Sequence, residues 1–168
     1  MWVIARRARF FLICVLFAGL VAAAAWYVDR GGASLGGSAR VIDGDSLMVA
    51  GSEIRLFGID APELRQTCTR AGRTWSCGAE AAQALRRMVA GRELVCHPRE
   101  RDRYDRTIAT CRAGELDVSA AMVRGGYAVA YGAYETDERE AREARRGLWA
   151  GEFDMPAAWR ARHPRGPR

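Results

Sequence analysis

Three short patches hold the residues suited to chemistry: Ile42-Asp43-Gly44-Asp45-Ser46, Arg55 through Ile59-Asp60-Ala61-Pro62-Glu63, and Asp102-Arg103-Tyr104-Asp105-Arg106. Singly, each has an ordinary explanation. A D-G-D sequence is common turn chemistry, acids after a strand suit a helix N-terminus, and an arginine-rich loop is usually solvated surface. Together they form a more specific set. Carboxylates from two of the segments can make a hard oxygen site for a cation such as Ca²⁺. A third carboxylate, a little further along, is well placed to orient an attacking water. Two arginines from separate segments could hold a phosphodiester and stabilise the charge of its transition state. Such residues suit metal-assisted phosphodiester hydrolysis without a histidine base.

The chain has 168 residues and a formal net charge of +6. All 26 of its basic residues are arginine, against 20 acids. A length of this order implies one folded domain with terminal extensions. At 49% hydrophobic and 27% charged residues, the composition argues against wholesale disorder and against a polytopic membrane protein. His97 and His163 are the only histidines, which disfavours a histidine-built zinc site. The positive charge sits at the ends. Residues 1–40 carry five Arg and one acid, and Arg160, Arg162, Arg165 and Arg168 close the chain without an acid. Residues 41–159 hold 17 Arg and 19 acids, a net of −2. The high pI therefore does not make the body a nucleic-acid binder; particular residues must.

At the N-terminus, Arg6, Arg7 and Arg9 precede an uncharged run, Phe10–Val28. As a helix this run would measure about 28 Å, close to the hydrocarbon core of a bilayer. The arginines predict a cytoplasmic start and an exported remainder. Trp26-Tyr27 suits a retained anchor, and the alanines at 22–25 offer cleavage sites of a removable signal peptide. Cysteine usage agrees with export, since an oxidising compartment favours disulfides. Cys14 lies in the apolar run, while Cys68, Cys77, Cys96 and Cys111 form an even set. Four cysteines allow three pairings. The favoured one joins Cys68 to Cys77 across a short loop and Cys96 to Cys111 across two candidate strands, with free buried thiols as the alternative.

The segments that must position these residues read as a small α+β domain built on a β-barrel. Residues 1–28 form the signal anchor or signal peptide, 29–38 a glycine-rich tether, 39–154 the domain, and 155–168 a disordered basic tail. Residues 39–49 and 52–59 have strand patterns around an Ala50-Gly51 turn, with Ile54 and Leu56 on one face and Arg55 on the other. Residues 79–90 carry Ala81, Leu85, Met88 and Val89 at helical spacing and stop at Gly91. Residues 93–97 and 107–112 read as strands, with 98–106 a loop between them. Short helices are expected over 117–124 and 135–146, the second with Glu135–Arg139 and Glu138–Arg142 pairs. Leu148-Trp149 should pack back on the body.

In this order and spacing, from about Ala39 to Trp149, the motifs resemble the staphylococcal nuclease (thermonuclease-like) family. The match covers Val41 through Ser46, the R-x-x-x-x-D-x-P-E block of Arg55 to Glu63, the D-[KR]-Y-G-R-like loop Asp102–Arg106, Cys77-Gly78-Ala79-Glu80-Ala81, Val123 through Ala128, and Gly147-Leu148-Trp149. The resemblance implies a five-stranded OB-type barrel with about three helices and Ca²⁺-dependent cleavage of DNA and RNA to 3′-phosphate products. It implies Asp45, Asp60 and the Ala61 carbonyl as metal ligands, with Mg²⁺ or Mn²⁺ as possible substitutes. Glu63 would be the general base, Arg55 and Arg106 the phosphate ligands, and Asp43 a support for the ligands. Arg103 stands where the family often has Lys. Tyr104 would line the nucleotide pocket, and Tyr131 and Tyr134 align loosely with nucleotide-stacking tyrosines. Asp105 replaces the usual Gly before the catalytic arginine; it tolerates a left-handed turn, but its charge beside Arg106 is expected to reduce phosphate affinity. The expected substrate is single-stranded DNA or RNA, the expected state a monomer, and the expected location periplasmic or extracellular, anchored or secreted. Two other readings remain: a catalytically silent OB-type module binding nucleic acid or protein, and a membrane-tethered structural protein.

Overall fold

The computed structural model describes residues 34–164 together with Phe17, Gly19 and Leu20. The rest of the expected anchor or signal peptide, Cys14 included, lies outside the described residues, as do residues 165–168. Among the described residues no helix is long and apolar enough to cross a membrane.

The domain is α+β. Its main sheet comprises β1 (Leu35–Gly37), β2 (Ala39–Val41), β3 (Ser46–Val49), β4 (Ser52–Leu56), β8 (Leu94–Arg101), β9 (Thr107–Ala113) and β10 (Leu116–Asp117). The order is β1-β8-β9-β4-β3-β2, with β10 added to β9. Pairing is antiparallel except between β4 and β9, which run parallel. The two edge strands, β1 and β2, are separated in the chain by Ser38 alone. The sheet therefore curls until one continuous stretch of chain serves both its edges. Two small antiparallel pairs complete the strands: β5 (Ile59–Asp60) with β11 (Val129–Ala130), and β6 (Cys68–Arg70) with β7 (Arg73–Trp75).

Inward residues alternate along the strands, as a pleated ribbon requires. Leu47 and Val49, Ile54 and Leu56, Leu94 and Cys96, and Ala109 and Cys111 are buried in one core. That core is covered by α1 (Cys77–Val89) through Ala81 and Leu85 and by α2 (Val118–Arg124) through Val118 and Met122. Each fully buried Leu or Ile contributes on the order of 1.5–3 kcal/mol. Asp117 caps α2, its carboxylate accepting from the Ala120 N–H at 3.0 Å. The helix α3 (Glu135–Glu143) and a 3₁₀ turn (Gly147–Ala150) follow, then α4 (Pro156–Arg162). The 3₁₀ turn docks through the Leu148 N–H, which donates to the Gly126 carbonyl at 2.9 Å. A Cβ on Gly126 would overlap the Arg146 carbonyl, so the two segments meet at this distance only because residue 126 has no side chain.

Several boundaries differ from the sequence reading. The tether does not extend to residue 38: Leu35–Gly37 pairs with β8, its glycines having hidden any alternation. The 52–59 strand breaks at Gly58, which takes φ 76°. β8 continues through the expected loop to Arg101, passing Pro98 at an irregularity between residues 98 and 100. Its charged residues and proline disguised it as a loop. Helix α3 stops at Glu143; the Glu138–Arg142 pair forms at 2.7 Å, whereas Arg139 donates to Thr136 instead of pairing with Glu135. The basic tail is not wholly irregular, because residues 156–162 form α4. Both favoured disulfides, Cys68–Cys77 and Cys96–Cys111, are present.

Candidate active site

The curled sheet brings the three patches to one place. The β3–β4 register sets Ser46 opposite Arg55, and the Leu56 N–H donates to the Asp45 carbonyl at 2.8 Å. The parallel β4–β9 register sets Ile54 opposite Thr107, which brings Arg106 to the same end of the sheet as Arg55. Pairing of β5 with β11 sets Asp60 opposite Val129 and leads directly to Tyr131, whose N–H donates to the Gly58 carbonyl. A cleft of about 780 Å³ results. It is lined by Asp43, Asp45, Arg55, Asp60 and Glu63 on one side and by Arg103, Tyr104, Arg106 and Tyr131 among the rest.

Asp45 and Asp60 are both buried. Arg55 bridges them, with 3.0 Å to Asp45 Oδ2 and 3.1 Å to Asp60 Oδ1. Asp45 also accepts from the Ala61 N–H at 3.0 Å and from the Ser46 hydroxyl at 3.2 Å. Asp43 supports the turn by accepting from the Asp45 N–H at 3.1 Å. Burial pushes the Asp45 carboxyl up to about 7, with Arg55 pulling the other way and Asp43 and Asp60 adding repulsion. For Arg55, burial opposes the charge, but Asp45 and Asp60 outweigh it and the guanidinium is held above its ordinary value.

The Glu63 segment is fixed by a side chain outside the expected site. Gln66 is fully buried. Its Oε1 accepts from the Glu63 N–H at 3.2 Å, its Nε2 donates to the Asp154 carbonyl at 2.7 Å, and its own carbonyl accepts from the Gly78 N–H. Gly78 lies so close to this segment that a Cβ there would overlap the Glu63 carbonyl. The start of α1, tied by the Cys68–Cys77 bond, thus forms the wall behind Glu63.

Across the cleft, Arg106 is aimed by Asp102. Its Nε and Nη2 reach Asp102 Oδ2 at 2.8 and 2.7 Å, and Asp102 also accepts from the backbone of Tyr104 and Arg106. Burial alone would raise the Asp102 carboxyl; these bonds outweigh it and hold it below the usual range. Asp105 takes φ 64°, the left-handed conformation expected where the family pattern has Gly. Its carboxylate pairs with Arg101 at 2.9 Å rather than with Arg106, whose guanidinium Asp102 holds instead. The exposed Tyr104 ring lies beneath Arg103 and Arg106, 4.8 and 5.7 Å from centroid to guanidinium carbon.

Nine of the expected site residues therefore meet around one cleft region, Ala61 by its contact with Asp45. Tyr134 does not. It is partly buried against the core, and its hydroxyl donates toward Asp117 at 3.3–3.4 Å. Asp102 stood in the third patch without a role of its own, and two contributors escaped the sequence reading. Gln66 acts through others, and no local pattern marks such a role. Arg160, from α4, places Nη1 and Nη2 each 2.9 Å from an Asp60 oxygen and Nη1 3.3 Å from Glu63 Oε1. The hydrogen bond to Asp60 raises its already high pKa, burial opposing.

A family model described as staphylococcal nuclease homologue matches residues 53–151, which include Arg55, Asp60, Glu63 and Arg106. The chain belongs to the staphylococcal nuclease family. Among similar proteins, the succinoglycan biosynthesis protein ExoI of Rhizobium meliloti (strain 1021) is 36% identical over 132 residues, 74% of this chain and 69% of that protein. Protein ParB of Escherichia coli is 35% identical over 163 residues, 84% of each. The probable staphylococcal-like nuclease CAN2 of Oryza sativa subsp. japonica is 30% identical over 123 residues, 69% of this chain but 31% of the plant protein. The nuclease family is generally associated with calcium, and the donors here suit it: two buried carboxylates carry hard oxygens, already drawn together around a guanidinium cation. Among the described residues no group of three or more His, Cys, Asp or Glu side chains converges as a metal cluster, so a cation here would rest on two carboxylates supplemented by backbone or water.

Proposed function

We propose that this staphylococcal nuclease family member is a Ca²⁺-dependent phosphodiesterase acting on single-stranded DNA or RNA outside the cytoplasm. What supports the reading best is the joining of Asp45, Asp60, Glu63, Arg55 and Arg106 around one cleft in a chain of this family. The curled half-barrel sheet, with β1 and β2 as one interrupted strand and β10 set aside, is consistent with the five-stranded OB-type barrel expected of such an enzyme.

Asp45 and Asp60, with the Ala61 carbonyl, would hold the cation, which would supply charge neutralisation of the carboxylates facing a polyanion and polarisation of the scissile phosphate. Arg106, braced along one edge by Asp102, presents its remaining donors to the phosphate. Arg55 contributes from the opposite wall once its carboxylates are otherwise neutralised. Glu63, held in place by Gln66, accepts the proton of the attacking water. Tyr104 and Tyr131, both exposed, offer faces on which unstacked bases lie. A single strand gives both base and backbone access to such a shallow groove.

The test uses the purified chain with both disulfides intact and single-stranded DNA as substrate. Cleavage in Ca²⁺ that stops in EDTA and falls at least ~100-fold in Glu63→Ala supports the assignment. A folded protein inactive in Ca²⁺, Mg²⁺ and Mn²⁺ would instead be a silent binding module. Export by the 1–28 segment is part of the same proposal; recovery of the protein in the cytoplasmic fraction overturns that part.

A further inference from the structure

Arg160 lies outside the motifs that define the site and outside the residues matched by the family model, yet it contacts two of the site's carboxylates, Asp60 and Glu63. Its guanidinium spans both oxygens of Asp60 at 2.9 Å and reaches Glu63 at 3.3 Å. A cation held by Asp60 would have to share or take over those oxygens.

The helix that delivers it is built to let go. The chain before α4 is pinned: Thr69 and Glu152 exchange backbone hydrogen bonds at 2.8 Å, and Gln66 donates to the Asp154 carbonyl. Beyond that anchor, α4 has seven residues, of which Pro156 is buried and Trp159 and Arg160 are half-buried, the rest being exposed. So short a helix has little intrinsic stability and gains little here from apolar burial. Trp159 stacks on His163 and Arg162 pairs with Asp154, both local contacts. Arg160 is the side chain that ties the helix to the carboxylates.

Resting on the nuclease reading above, we infer that Arg160 is a tethered counter-ion that occupies the Asp60 oxygens a cation would use, with Glu63 beside it, so that α4 is a strap which a divalent cation must displace. Cation binding and α4 docking are then mutually exclusive, and each weakens the other by the same factor. Lysine, a single ammonium, cannot span both Asp60 oxygens in the way a planar guanidinium does.

The experiment is calorimetric titration of Ca²⁺ into the full metal-free chain, as wild type, Arg160→Gln, Arg160→Lys and Arg162→Gln, each first shown to melt cooperatively. Arg160→Gln is expected to bind Ca²⁺ at least ~10-fold more tightly, Arg160→Lys to fall between, and Arg162→Gln to match wild type. Hydrogen exchange supplies a readout independent of activity: Ca²⁺ should speed exchange of the α4 amides in wild type by ~10-fold or more. Unchanged or weaker Ca²⁺ affinity in Arg160→Gln, or slower α4 exchange in Ca²⁺, overturns the inference. If Arg160→Gln loses affinity for a metal-free oligonucleotide with Ca²⁺ affinity unchanged, Arg160 is a phosphate ligand and the strap is also wrong. Absence of Ca²⁺ binding in every variant overturns it as well. The wild-type cleavage assay separates that failure from failure of the nuclease reading, since an enzyme cleaving in Ca²⁺ keeps the second while losing the first.

Discussion

Asp45 illustrates what burial does to one carboxyl. In the unfolded chain it titrates near the ordinary carboxylate value, 3.8, whereas in the fold burial lifts it to about 7. Between those values the folded protein binds a proton that the unfolded chain does not, so this group's contribution grows as pH falls and is lost as pH rises through 7. In EDTA, the melting temperature should therefore rise between pH 8 and pH 6, and Asp45→Asn should flatten that rise. A variant that keeps the full pH slope would show that another group causes it. Asp105 and Asp102 make the opposite pair. Asp105 is spent on Arg101 and exposed, so Asp105→Gly should leave kcat/KM within about threefold of wild type. Asp102→Ala frees the Arg106 guanidinium from its brace and should lower kcat/KM by ~10–100-fold, in line with the 1.5–3 kcal/mol of charged hydrogen bonds. Equal effects in the two variants, measured on the same oligonucleotide, would refute the assignment.

Among the elements, the β6–β7 hairpin and the start of α1 form a single brace. The Cys68–Cys77 bond joins them, Gly78 packs on the Glu63 carbonyl, and Gln66 fastens the result to the C-terminal segment. Replacing both Cys68 and Cys77 by Ser should cost about 2–3 kcal/mol in denaturant unfolding, by releasing the unfolded chain from a short loop. Because the same bond backs Glu63, kcat should fall as well, even under conditions where the variant is folded. Loss of stability with full retention of kcat would confine the disulfide to a structural role. The Cys96–Cys111 bond lies inside the β8–β9 pairing, on strands already joined by their ladder, and its removal should act on stability alone.

For the whole molecule, folding works against a cluster of like charges. Asp43, Asp45, Asp60 and Glu63 face one cleft, and Arg55 and Arg160 supply the compensating cations. A divalent cation bound to the folded state alone should stabilise it by mass action, by about 2.7 kcal/mol at a hundredfold excess over its Kd, and so raise the melting temperature. Wild type in EDTA and in saturating Ca²⁺ should differ accordingly, and Asp45→Asn with Asp60→Asn should abolish the difference. A Ca²⁺ shift that survives in the double variant would place the cation elsewhere.

What the sequence determined by itself was local. The alternation of Ile54 and Leu56 against Arg55, the apolar face of α1 around Leu85, the Ala50-Gly51 turn, and the carboxylates and arginines of the three patches all depend on residues within a few positions of one another. Both disulfide pairings were legible for a similar reason, as a short loop and a pair of neighbouring strands. Where glycines carry no side chain, as in β1, or charges and Pro98 interrupt a strand, as in β8, periodicity has nothing to display. Tertiary structure decided the rest, because contacts between distant positions leave no period in the chain. It moved Tyr134 from the cleft to the Asp117 side chain, gave Arg106 to Asp102 rather than Asp105, and made buried Gln66 the fastening of the Glu63 segment. It also turned a basic tail into a helix whose Arg160 meets Asp60 from a hundred residues away, a pairing set by shared burial and charge that no spacing could announce.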